Sequence, residues 1–201
     1  MNPMHFAQIS HKLGNRDYNE ISIFVSSDII EANPDLPWNY NRLSQNSHIT
    51  WDIVEANPDK PWDYFYLSMH QNITWEHVKA NPDKPWDYRA LSANPNITWG
   101  MVESDPDFPW DYNALSRNPN ITWEHVEANP GCPWNYYLLS RHPNITWDII
   151  QANPDKPWDY DYVSFNPNIT WDIVEANPDY PWNYPELYKH VYSTQLSYVL
   201  K

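Results

Sequence analysis

The sequence predicts an all-α fold, an α-solenoid of seven two-helix repeats of about 24 residues with a degenerate cap at each end. Three observations carry this. Trp51, Trp75, Trp99, Trp123, Trp147 and Trp171 recur at a fixed interval of 24, and Trp38, Trp62, Trp86, Trp110, Trp134, Trp158 and Trp182 repeat at the same interval without a slip. Twenty prolines against three glycines punctuate the copies, so the elements are short and few corners require positive φ. Within a copy, Trp51 with Val54 and Tyr64 with Leu67 stand three apart, as residues sharing a helix face do. The alternative is a β-solenoid, since Ile49, Trp51 and Ile53 alternate and position 54 is β-branched in every copy. That alternation breaks where His77, Met101 and His125 replace Ile53, and the scarcity of glycine argues against tight β corners.

The elements follow in order. Residues 1–25 form the N-terminal cap: Asp17-Tyr18-Asn19-Glu20-Ile21-Ser22 echoes Asp63-Tyr64-Phe65-Tyr66-Leu67-Ser68 as half a repeat. Residues 26–193 hold the seven repeats, the first of which has Ser27 where tryptophan is expected. In the copy beginning at Thr50, residues 50–56 open on a good N-cap residue, carry Asp52 in the first turn and stop at Asn57-Pro58, because proline disfavours α geometry in the residue before it. A second helix is expected from Asp59-Lys60-Pro61-Trp62-Asp63 to about Met69, with proline in the first turn, where it is tolerated. Beyond Pro185 the punctuation ends. Leu187, Val191, Leu196 and Val199 then have the spacing of a closing helix, whose end at 194–201 forms the C-terminal cap.

Helices this short are unstable alone, so neighbouring copies must supply the stability. Trp51, Trp62, Trp75, Trp86, Trp99, Trp110, Trp123, Trp134, Trp147, Trp158, Trp171 and Trp182 are therefore expected to be the repeat core. Each ring buries on the order of 200 Å², worth about 25 cal/mol per Å².

The net charge of −14 and pI near 4.7 repel phosphate backbones and anionic headgroups, which excludes nucleic acid and membrane surfaces as expected partners and favours a basic protein. Cys132 is the only cysteine, so no internal disulfide is expected. No run approaches the roughly 18 apolar residues that span a bilayer, and Met1 to Asn15 lacks a basic region followed by an apolar one. A cytoplasmic location is expected.

Asp59, Asp83, Asp107, Asp155 and Asp179 form one acidic column, and Asp63, Asp87, Asp111 and Asp159 another. Stacked carboxylates can hold calcium. Their position beside helix starts, and the substitutions Gly131, Asn135 and Asn183, point instead to capping. His77 and His125 lie two copies apart with Met101 between them and read as semi-exposed filler, so no metal or other cofactor is expected. Asn72, Asn96, Asn120, Asn144 and Asn168 each begin an N-glycosylation acceptor pattern, but the threonine in each already has a role as N-cap. No phosphate loop, nucleophile elbow or other singular constellation occurs, and no enzyme activity is expected.

Binding is therefore sought where the copies differ. One variable column runs Asn41, Phe65, Arg89, Asn113, Tyr137, Asp161; the other runs Gln45, Met69, Ala93, Arg117, Arg141, Phe165. From these, Phe65, Met69, Arg89, Asn113, Arg117, Tyr137, Arg141, Asp161 and Phe165 are the candidate binding residues, because interfaces favour aromatic and arginine side chains and residues four apart share a helix face.

The stretch Ile49-Thr50-Trp51-Asp52-Ile53-Val54-Glu55-Ala56-Asn57-Pro58-Asp59-Lys60-Pro61-Trp62-Asp63-Tyr64 closely resembles the tryptophan-rich repeats of nucleocytoplasmic giant DNA viruses, the mimivirus and marseillevirus relatives. The resemblance covers residues 26–184 and implies a viral protein made in the host-cell cytoplasm, without assigning a role to any residue. The expected function is a non-enzymatic scaffold engaging a host or viral protein. The alternatives are a self-assembling, virion-associated structural protein and glycan binding through exposed aromatic rings.

Overall fold

The computed structural model describes Phe6 and residues 12–189. All regular structure among the described residues is helical, and the chain is an all-α repeat solenoid. It divides into two compact units, Met1–Ile97 and Thr98–Lys201. The first unit holds α1 (Asn15–Ile21), α2 (Ser27–Ala32), α3 (Tyr40–Leu43), α4 (Trp51–Ala56), α5 (Tyr64–Met69), α6 (Trp75–Ala80) and α7 (Tyr88–Ser92). The second holds α8 (Trp99–Ser104), α9 (Tyr112–Leu115), α10 (Trp123–Ala128), α11 (Tyr136–Leu139), α12 (Trp147–Ala152), α13 (Tyr160–Val163) and α14 (Trp171–Ala176), with a further helical stretch at 184–189. Even-numbered helices open a repeat and odd-numbered helices close it.

Each opening helix follows a threonine or serine in extended geometry; Thr146 and Thr170 accept the N–H of Ile149 and Ile173 at 3.4 Å. It ends where the sequence requires. Asn57, at φ −129° and ψ 57°, has left the α region, and its side-chain amide turns back to donate to the Ile53 carbonyl at 2.9 Å.

The second helix begins one turn later than expected. Instead of entering a helix at Pro61, residues Asn57-Pro58-Asp59-Lys60 close a β-turn (Lys60 N–H to Asn57 carbonyl, 3.3 Å), with proline at its second position. The Trp62 N–H then bonds back to the Lys60 carbonyl at 2.9 Å, a γ-turn centred on Pro61 whose locked φ suits it. The helix starts at Tyr64, capped by Asp63, which accepts the Phe65 N–H at 3.1 Å. The Asp63 column therefore caps, as expected; the Asp59 column lies in the exposed turn instead, where Asp155 pairs with Lys156 at 3.2 Å. No residue among those described has positive φ, so the fold does without glycine at its corners.

Packing between copies rests on the two tryptophan series. The indole opening one repeat meets the second-series indole of the next: Trp51 with Trp86 at 5.5 Å and Trp123 with Trp158 at 5.6 Å between centroids. The tyrosines that open α5 and α11 present their edges to the same rings, Tyr64 to Trp86 at 5.1 Å and Tyr136 to Trp158 at 5.3 Å. Trp38, Trp51, Trp62, Trp75, Trp86, Trp99, Trp123, Trp134, Trp147, Trp158 and Trp182 are buried, while Trp110 and Trp171 are half-buried. Where the repeat runs out at the N-terminus, Phe6 stacks on Trp38 at 5.8 Å, and near the other end Tyr188 covers Trp171 at 5.4 Å. In the N-terminal cap, α1 makes the contacts of an odd-numbered helix, with Tyr18 edge-on to Trp38 at 5.3 Å. The cap helix expected at 194–201 lies outside the described residues.

Polar ladders run beside the indoles. The Ser44 hydroxyl donates to the Tyr40 carbonyl at 2.7 Å and accepts the Asp63 N–H of the next copy at 2.9 Å. Fully buried Asn46 sends its amide to the Ser22 and Val25 carbonyls at 2.9 and 2.7 Å, and Asn166 repeats this in the second unit with Ser140, His142 and Ile145. These bonds satisfy carbonyls that the short helices would otherwise leave bare.

Candidate functional site

The two variable columns lie along the odd-numbered helices and the residues that follow them, and they leave several large apolar side chains in solvent, as do Phe24, Tyr88 and Tyr184 outside these columns. Phe65 is 47% exposed, Tyr137 44%, Phe165 42% and Met69 40%. In the first unit Phe65 and Tyr66 meet edge to face at 5.3 Å. Beside them a groove of about 520 Å³ runs between Gln45, Tyr66, Met69, Gln71 and Pro95. Arg89 is an exposed side chain of the following copy.

In the second unit Tyr137 packs on Tyr162 at 3.5 Å between centroids, Phe165 lies 5.9 Å from Tyr162, and the Arg141 guanidinium sits over the Tyr162 ring at 5.7 Å. The structure thus joins Tyr137, Arg141 and Phe165 into one cluster through Tyr162. Tyr66 and Tyr162 occupy a third column, otherwise Arg42, Ala90, Ala114, Leu138 and Glu186, which sequence reasoning passed over. Its variability was the available signal. Arg117 is exposed one repeat before Arg141.

Two candidates have work inside the fold. The Asn113 side-chain oxygen accepts from the Asn135 amide at 2.6 Å, and Asp161 accepts from Asn183 at 3.0 Å, so both bridge one copy to the next.

The remaining candidates resolve into structural parts. His77 and His125 are not mere filler: each ring stacks on the tryptophan one copy back, Trp51 or Trp99, at 5.7 Å, and its Nδ1 accepts the Thr74 or Thr122 N–H at 3.1 Å. His70 and His142 are buried and take the place of the ladder asparagines. His142 Nε2 lies 3.0 Å from the Asn118 carbonyl, and its Nδ1 accepts the Asn144 N–H at 3.1 Å. These partners fix a neutral ring protonated at Nε2, and burial pushes its pKa down, partly offset by the Asn118 carbonyl.

The acceptor asparagines of the glycosylation pattern are committed as well. The Asn144 amide nitrogen donates to the Pro119 and Ile121 carbonyls at 2.8 Å each, and Asn168 to those of Pro143 and Ile145 at 2.7 and 3.0 Å. Cys132 donates to the Tyr112 hydroxyl at 3.2 Å; burial, with Cys132 alongside, pushes that phenol up to about 12.

Among the described residues no three histidine, cysteine or acidic side chains gather closely enough to hold a metal ion, and no helix is long and apolar enough to cross a membrane. No protein-family model, curated protein or solved structure matches the chain.

Proposed function

We propose that this protein is a non-enzymatic scaffold that binds another protein through the exposed face of its odd-numbered helices. The observation that carries the reading is a division within the repeat. Most positions that pack or bond between copies hold nearly constant residues, Asn113 and Asp161 being exceptions, whereas Phe65, Met69, Tyr137 and Phe165 stand at variable positions and are exposed. Solvated drift would fill such positions with polar residues; aromatic and arginine side chains are what interfaces use.

With most indoles buried, a glycan could stack mainly on the scattered phenyl and phenol rings, which weakens that alternative. The resemblance to giant-virus repeats supports placing the protein in an infected cell, with a host or viral protein as partner. The exposed acids of the even-numbered helices, such as Asp52, Glu55, Glu124 and Glu127, support a basic partner for that surface.

The test is affinity capture from host lysate with the wild type, with Phe65→Ala/Tyr137→Ala, and with Asp59→Asn/Asp107→Asn, in the exposed turns, as a surface control. Loss of the same proteins from the aromatic variant alone is expected. An identical set captured by wild type and aromatic variant overturns the reading.

A further inference from the structure

The positive charge of the second unit is placed unevenly. Its described Lys and Arg side chains are Arg117, Arg141, Lys156 and Lys189. Lys156 pairs with Asp155 at 3.2 Å and Lys189 with Glu186 at 2.7 Å. Among the described residues no carboxylate lies within ion-pair distance of Arg117 or Arg141, although the chain carries 26 acids. Of the exposed acids, Glu103, Glu124, Glu127, Asp148, Asp172 and Glu175 sit on the even-numbered helices and Asp107, Asp155 and Asp179 in the turns. On the variable face, Asp161 is already engaged by Asn183. Both arginines occupy the same repeat position in consecutive copies, and the Tyr137, Tyr162 and Phe165 cluster adjoins Arg141.

We infer that this face docks an extended protein segment bearing carboxylates, which Arg117 and Arg141 clamp while its apolar side chains lie on Tyr137, Tyr162 and Phe165. The inference rests on the scaffold reading and names the chemistry of its partner. A guanidinium fork takes a carboxylate through two parallel hydrogen bonds, and an aromatic ring beneath it holds it in place at little further entropic cost. Packed helices stand about 8–10 Å apart, so equivalent side chains of adjacent copies recur at about that interval. A polyproline II segment turns every third residue to one side, about 9 Å apart. A carboxylate at every third residue therefore keeps step with the arginines, with apolar residues between. Such a partner carries the same sign of charge as the whole chain, at −14, so binding it runs against the long-range field and makes the expectation sharp.

The experiment uses the full chain and three fluorescein-labelled peptides, each a triple repeat of Glu-Pro-Phe, Gln-Pro-Phe or Lys-Pro-Phe. Fluorescence anisotropy is read at about 0.15 M salt, where fields beyond about 8 Å are screened. The glutamate peptide is expected to bind most tightly and the lysine peptide most weakly. Arg117→Glu/Arg141→Glu, with an unchanged circular dichroism spectrum, is expected to weaken the glutamate peptide by about tenfold or more and to reverse the order. Tighter binding of the lysine peptide by the wild type, or equal binding of the glutamate peptide by wild type and double variant, overturns the clamp. If binding ignores the arginines but is lost in Tyr137→Ala/Phe165→Ala, the face remains a docking surface and the clamp alone fails. If no peptide binds, the clamp falls, and the capture comparison of wild type with Phe65→Ala/Tyr137→Ala decides the scaffold reading separately.

Discussion

The Asn166 amide nitrogen lies 2.9–3.1 Å from three backbone oxygens, all in the stretch that follows the preceding copy's odd-numbered helix. Replacing it with alanine strips these buried carbonyls of their donor, and Asn166→Ala is expected to lower unfolding stability by about 1–3 kcal/mol in urea titration. His142 fills the equivalent ladder position with a group that titrates. Its folded pKa lies below the 6.5 of the free side chain, so the unfolded chain binds the proton more readily. The stability tied to the neutral ring is therefore complete above about pH 6.5 and is lost as pH falls below it toward the depressed folded value. His142→Asn restores the common residue and should flatten the fall in Tm between about pH 7 and 5; an unchanged slope would place the acid sensitivity elsewhere. Little of this was legible in the sequence, because asparagine before proline reads equally as a turn residue, an acceptor for glycan or a buried donor. Only the carbonyls brought up by the neighbouring copy distinguish them.

At the scale of the element, the even-numbered helices were readable to the residue, since threonine opens them and Asn-Pro must end them. The odd-numbered helices were not. Proline fits a first helical turn and a γ-turn equally well through its fixed φ, and what decides is the Trp62 indole, which donates to the Asn57 carbonyl at 2.9 Å and holds residues 57–62 in their turns. Asp63 then caps the helix from outside it. Asp63→Ala is expected to cost about 1 kcal/mol, while Asp63→Asn should be nearly neutral, because Asn39 and Asn135 cap α3 and α11 in the same way. Equal losses for both would show that charge, not the cap oxygen, matters. The binding columns were legible as variable positions on these helices. That Asn113 and Asp161 were spent on bridges between copies was not, since polar residues at such sites look solvated until the next repeat is in place.

Across the whole molecule, stability is shared among like interfaces. Trp158→Ala opens a cavity beneath both Trp123 and Tyr136 and is expected to cost about 3–5 kcal/mol, against well under 1 for Phe165→Ala on the open face. Deleting Thr122–Ile145 joins Ile121 to Thr146 in unbroken register, so the shortened chain should keep its helical spectrum and lose about a seventh of its urea m-value. Removing one residue fewer should unfold that region. The ladders that hold copies together connect residues only 19 to 26 apart in the chain. A growing polypeptide thus meets the partners of its ladders within about one repeat of synthesis and those of its tryptophan pairs within about one and a half. Folding should accordingly be fast for the chain's size, with a rate set by one pair of copies and nearly indifferent to how many follow.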